Sequence, residues 1–237
     1  AKQRSLLARL LGGDLEAGTY STGESTIPLK EVARFGFPVL AMDVSVGSRD
    51  KIPRMVVTDG ERVYQYRIVN QKLEADWTFS ARAPGRVISV QLADLDGDGV
   101  FEVVGNRFHP KGGLNAFVIT VKGGKPAYLA EDIESFLFAV DSKSEGVKQT
   151  LWSQRYSPEH FFNPGQADQV VIRNGKLVVE KPVRAPAGFR PMGAAFSNIS
   201  GKGTRVLAHV DEFNRLQISS EGEDLWRSST SVGGGYL

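Results

Sequence analysis

The stretch Arg86–Arg107, RVISVQLADLDGDGVFEVVGNR, decides how the rest of the chain is read. Ile88, Val90 and Leu92 alternate with Ser89 and Gln91 before an acidic turn, and Val103 and Val104 follow directly after it, so the turn joins two strands. Asp94, Asp96, Asp98 and Glu102 set four formal negative charges within nine residues. Carboxylates so close repel one another unless a cation sits among them. Their relative positions are 1, 3, 5 and 9, with the Val100 carbonyl at 7, which follows the calcium-loop scheme; Gly97 and Gly99 permit the tight curl. Oxygen donors without His or Cys argue against zinc. Position 12 is Gly105 rather than Glu, and no helices flank the turn, so this is a strand-to-strand connection and not an EF-hand. The simpler alternative is a hairpin turn with solvated acids, but ordinary Asp-Gly turns do not place four carboxylates in register. The expectation is one calcium ion held by Asp94, Asp96, Asp98, the Val100 carbonyl and Glu102.

The chain has 237 residues, enough for one large all-β domain or two small ones. Its 26 glycines and short β-branched and aromatic runs favour many strands with tight turns. Lys and Arg number 29 against 27 Asp and Glu, a net charge of +2, so no global field points to nucleic acid. The absence of cysteine removes disulfides, thiolate metal sites and a Cys nucleophile. No apolar run approaches the length of a membrane span, and Leu6–Leu11 is too short for a signal peptide. A loop calcium site suits a compartment rich in free calcium, so a periplasmic or extracellular location is expected, with any export signal outside this chain.

Outward from the central stretch, residues 1–11 carry Leu6, Leu7, Leu10 and Leu11 at helical spacing with Lys2, Arg4 and Arg9, ending at Gly12-Gly13. This predicts a short amphipathic helix, the one place where membrane contact is conceivable, followed by a polar linker to residue 24; the remainder, 25–237, is one β-rich domain. Four units of four short strands follow, near 37–80, 86–130, 135–183 and 189–228, with turn signals at Asp59-Gly60, Gly123-Gly124 and Asn174-Gly175. Unit spacings of roughly 45 to 55 residues are the signature of blades that bury their faces only against neighbours. The predicted fold is an all-β propeller of four-stranded blades, about four in this chain, either closing alone or belonging to a larger ring. In the fourth unit, Ser197–Leu207 keeps Gly201 and Gly203 in the places of Gly97 and Gly99 but has Lys202 where Asp98 stands. The turn is kept there and the ion lost. Asp43–Lys51 in the first unit retains only scattered oxygen donors.

Leu92–Val104, LADLDGDGVFEVV, resembles the calcium-binding core of FG-GAP/VCBS repeats, found in the propellers of integrin α-subunits and of many exported bacterial proteins. The resemblance implies an integrin-like propeller, calcium at the residues named above and an extracytoplasmic setting.

Other candidate chemistry is thin. His109, His160 and His209 fall in separate units without metal-ligand or triad spacing and read as packing or surface residues. Lys122–Lys125 lacks the order of a phosphate loop, and Glu131, Asp132 and Glu134 read as a solvated turn. Trp77 and Trp226 recur in the last strand of their units and suggest packing between blades. Tyr156, His160, Phe161 and Phe162 lie in the longest irregular connection and are the candidates for contacting a protein or glycan partner, against the simpler reading of a buried plug. The expected function is a calcium-stabilised, non-catalytic binding or structural module of a bacterial envelope or extracellular assembly. The alternative is a hydrolase or lyase acting on polysaccharide or lipid through residues on rim loops.

Overall fold

The structure, a computed structural model, describes residues 33–80, 84–143, 145–159, 161–162, 167–183, 186, 189–190, 194–197, 206–211, 213–220 and 223–232. The predicted N-terminal helix and linker, the segment 25–32, His160 and most of the turn at 197–207 lie outside them.

Runs of β-branched and aromatic residues between turn signals produce the strands, alternating with polar residues in outer ones such as Lys72–Ser80 and continuous in the fully buried Ser135–Val140, and the topology is a succession of antiparallel meanders. The first sheet orders β1 (Ala41–Val46), β2 (Pro53–Thr58), β3 (Arg62–Val69) and β4 (Lys72–Ser80), and the second β5 (Arg86–Ala93), β6 (Glu102–His109), β7 (Gly113–Lys122) and β8 (Lys125–Ile133). In the third, β9 (Ser135–Val140) pairs β10 (Thr150–Ser157), whose far end also pairs the short β11 (Phe161–Phe162); β12 (Asp168–Arg173) and β13 (Lys176–Pro182) complete it. The fourth orders β14 (Ala195–Ser197), β15 (Val206–Val210), β16 (Leu216–Ser220) and β17 (Glu223–Arg227). This all-β, propeller-like arrangement follows the four units read from the sequence; β11 was not anticipated. Among the described residues no helix is long and apolar enough to cross a membrane.

The connection between the third and fourth strands is a two-residue hairpin in three of the sheets. Both central residues have positive φ at Asn70-Gln71 (49° and 61°), Gly123-Gly124 (57° and 77°) and Asn174-Gly175 (52° and 74°), the geometry whose twist matches that of the flanking strands. Each sheet then stacks on the next. Val56, Val63, Trp77 and Phe79 of the first pack on Leu92, Val103, Phe117 and Ile119 of the second. The opposite face of the second, with Val104, Ala116 and Val118, meets Leu137, Ala139, Leu151 and Val170 of the third. Phe138 and Trp152 on the far face of the third pack on Phe196 and Leu207 of the fourth. Trp77 thus contributes to packing between sheets. Gly105 is required because Phe117, directly opposite on β7, lies over it, and a Cβ there would come within 2.2 Å of the ring.

Side chains of one sheet also bind the backbone of the next. The Asn106 amide donates to Leu137 O and accepts from Leu137 N, both at 2.8 Å. The Gln91 amide does the same two residues along, donating to Ala139 O (3.2 Å) and accepting from Ala139 N (2.9 Å). These groups lie on the edge of β9 that no strand covers. In the preceding pair of sheets Asp43 accepts from Leu92 N at 2.8 Å, and in the following pair Gln154 donates to Phe189 O at 3.2 Å. Replacing Asn106, only 1% exposed, by Leu removes one such amide and strands a buried N–H and C=O. The expected loss is about 2–4 kcal/mol, read from urea unfolding.

His209 on β15 is fully buried against the Phe189 ring (5.1 Å between centroids), and neither ring nitrogen has a hydrogen-bond partner. Burial holds its pKa below the ordinary value of 6.5, with Arg227 adding to the lowering, against the opposing pull of the Val210 backbone, Asp224 and Asp211. A base whose folded pKa is depressed contributes stability that is intact above the unfolded value and is lost as pH falls through the folded one. Relative to His209→Leu, the unsubstituted protein should therefore lose stability as the pH is taken from 7 toward 5, read as the difference between the urea midpoints of the two, in which contributions common to both cancel.

Candidate metal centre

The β5–β6 turn gathers its acids because both flanking strands end beside it and two other segments brace it. Asp94 follows β5 directly, and its N–H donates to Lys148 O at 2.9 Å. Its Oδ2 accepts from Gly99 N at 3.1 Å and from the Ser48 hydroxyl at 3.4 Å. Its Oδ1 is buried with no partner at all, in a residue only 3% exposed. Glu102 opens β6, 2% exposed, and accepts from Leu95 N at 3.0 Å and the Thr120 hydroxyl at 3.3 Å. Asp96 is exposed and accepts from Asp98 N at 3.1 Å. One oxygen each of Asp94, Asp96 and Glu102 lies within 4.8 Å of the others.

Of the five residues expected to hold an ion, these three converge. The Asp98 carboxylate instead accepts from Val100 N at 2.7 Å and stands outside the cluster, and the Val100 side chain faces solvent. Burial pushes the Glu102 carboxyl up to about 7, with Asp96 and Asp98 adding to the rise and the Leu95 N–H opposing it. The arrangement is a partly buried anionic pocket with one orphaned carboxylate oxygen, and an all-oxygen donor set suits a hard cation. Beside it lies a cavity of about 110 Å³ between the second and third sheets, bordered by Asp96 and Glu102 and walled mainly by Leu95, Leu129, Leu151 and Ile172.

Several residues that shape the centre were not singled out from sequence. Asp43 and Lys148 form a 2.6 Å ion pair, with Asp43 also fixing Leu92 N, so the first and third sheets hold the strand that leads into the turn. Ser48 and Thr120 supply hydroxyls to the two buried acids. From sequence Asp43 was only the first of the scattered oxygen donors of 43–51, and its role shows only once the sheets are stacked.

Among the expected partner-binding residues, Tyr156 belongs to β10, is half-buried, lies 6.4 Å from the Phe108 ring and covers Gly113. Phe161 and Phe162 form β11. His109 caps its own turn, its Nδ1 accepting from Lys111 N and Gly112 N at 3.2 and 3.0 Å. Glu131, Asp132 and Glu134 are exposed.

No protein-family model matches the chain, and no characterised protein matches it by sequence. Solved structures do. Sqt1 of Saccharomyces cerevisiae is 13% identical over 80% of this chain and 48% of its own length, with a TM-score of 0.46. The GH43_1 enzyme of Xanthomonas citri is 10% identical over 79% and 72% (TM-score 0.49), and a candidate 6-phosphogluconolactonase of Bacteroides uniformis is 14% identical over 81% and 55% (TM-score 0.48). The chain thus spans about half the length of the yeast and Bacteroides proteins. The expectation that the chain is not an enzyme is withdrawn as a correction: the likeness is one of fold, and the structures that share it include one enzyme and one candidate enzyme. The physical reason is that residues meeting at a rim come from separate sheets, so the lack of a linear catalytic motif does not exclude catalysis.

The two glycines of the turn separate two costs. Gly97 has φ of +77° with open space around it, whereas Gly99, at +83°, would bring a Cβ within 2.7 Å of Arg49 Cβ. Gly97→Ala should cost about 1–2 kcal/mol from left-handed strain alone. Gly99→Ala should cost more, because the 48–49 segment must also move; urea unfolding of both variants makes the comparison.

Proposed function

We propose that the chain is a calcium-stabilised propeller module of the FG-GAP/VCBS kind, its four described sheets being consecutive blades, working outside the cytoplasm as a protein- or glycan-binding or structural unit of a bacterial envelope or extracellular assembly. The observation that carries this reading is the convergence of Asp94, Asp96 and Glu102 around a buried Asp94 oxygen without a partner. These three would hold the ion, with Asp98 and the Val100 carbonyl joining after adjustment of the exposed part of the turn. The ion supplies positive charge that relieves the repulsion among the acids and fixes the turn.

Calcium at about 100 times its Kd should stabilise the fold by about 2.7 kcal/mol, a rise of roughly 5–10 °C in melting temperature over chelator. Asp96→Ala should abolish that rise. Glu102→Gln should abolish it too, while raising the melting temperature of the chelated protein at pH 8, since a buried charge among like charges is removed. Identical melting curves for the unsubstituted protein in chelator and in millimolar calcium would refute the reading.

A hydrolase acting on polysaccharide or lipid is the second reading. Its specific support is that two carboxylates, Asp96 and Glu102, border one cavity, the equipment of glycoside hydrolysis. Turnover of a glycan or ester substrate in chelator, lost in Glu102→Gln, would favour it over the first.

A further inference from the structure

The cavity beside the acidic turn is unexplained by a purely structural ion. Calcium takes six to eight oxygens. The chain commits many of its own elsewhere: Asp94 Oδ2 to Gly99 N and Ser48, both Glu102 oxygens to Leu95 N and Thr120, Asp96 Oδ1 to Asp98 N, and Asp98 Oδ1 to Val100 N. Each of these bonds opposes bidentate coordination. Two of the three converging donor residues, Asp96 and Glu102, also line the 110 Å³ cavity, so the centre borders that space.

The remaining walls define an occupant. Leu95, Leu129, Leu151, Val170 and Ile172 are apolar, and Gln149 is the one uncharged polar side chain among the lining residues. With Asp98 joining, four carboxylates and one divalent ion leave a net charge of −2, which disfavours an anion, and the ion itself repels a cation from its open coordination position. A dry cavity of about 150 Å³ holds benzene, so this one suits a body of four or five heavy atoms. Resting on the calcium reading, we propose that the pocket is a ligand site: it takes a neutral oxygen donor, an alcohol or amide on a short branched aliphatic body, whose oxygen completes the coordination of the ion while the body fills the apolar walls.

Terbium in place of calcium tests this without an activity assay, because its luminescence decay in H2O and D2O counts the water molecules bound to the ion. The protein should hold terbium with about two or more waters, and 2-methylpropan-1-ol should lower the count by about one. Methanol, with the single hydroxyl but no branched aliphatic body, should leave it unchanged at the same concentration. Ile172→Phe, filling the cavity from a partly exposed position, should keep the terbium affinity and lose the response, and Leu129→Phe repeats the test should that variant fold poorly. A bound ion with no waters, or an equal response in the filled variants, overturns the ligand site and leaves the calcium reading intact. Failure of terbium to bind at all overturns both.

Discussion

Everything in this arrangement of sheets depends on how a bare strand edge is satisfied. The first strand of a sheet exposes a row of N–H and C=O groups that neither water nor a partner strand reaches once the sheets are stacked, and leaving them unmet would cost more than the packing gains. At β9 the second sheet answers with two primary amides. Asn106 and Gln91 each present one donor and one acceptor to one residue, Leu137 and Ala139, as a neighbouring strand would. Asp43 makes half of the same gesture toward Leu92, and Gln154 toward Phe189. Hydrophobic contact presses the sheets together, but it is non-directional; these polar contacts fix which residue lies opposite which.

The acidic turn sits where this constraint is most concentrated. Asp43 binds both the strand that enters the turn and Lys148 of the third sheet, and Lys148 O in turn receives the Asp94 N–H. The turn is therefore gripped from both sides before any ion is considered. That grip explains why Asp94 and Glu102, at the strand ends, are buried and close, whereas Asp96 and Asp98, at the tip, are exposed and Asp98 turns to cap the backbone. The carboxylates that belong to strands are preorganised, and those of the tip are adaptable.

Much of this was legible in the sequence, for identifiable reasons. Short β-branched and aromatic runs marked most strands, alternating with polar residues in outer strands such as β4 and nearly continuous in β9, which is buried on both faces, and Gly-Gly and Asn-Gly marked two of the tight hairpins. Asn70-Gln71 escaped because Gln is an unusual occupant of positive φ, accepted here where Val69 and Lys72 pair across it. The acidic turn announced its donors by spacing alone, but spacing could not say that Asp98 would face the backbone. Tyr156 looked like a loop residue because a run of polar residues surrounds it; its place in β10 is set by pairing with β11 and by Gly113 beneath its ring, which are contacts between distant parts of the chain. Asp43, Gln91 and Asn106 read as ordinary polar positions on strands, since a side chain that serves another sheet's backbone leaves no local pattern.

The numbering of those clasping residues has a consequence for how such a fold can arise. Asp43 and Gln91 stand 48 residues apart, and so do Asn106 and Gln154. A segment of that length carries both the side chain that grips the following sheet and the bare edge to be gripped by the preceding one. Tandem duplication of a single unit therefore delivers a matched junction at each new boundary without further mutation. Divergence can then proceed unit by unit, as the intact acidic turn of one and the lysine-bearing counterpart of another illustrate, and as the single-bond clasps of Asp43 and Gln154 beside the two-bond clasps of Gln91 and Asn106 do at the junctions.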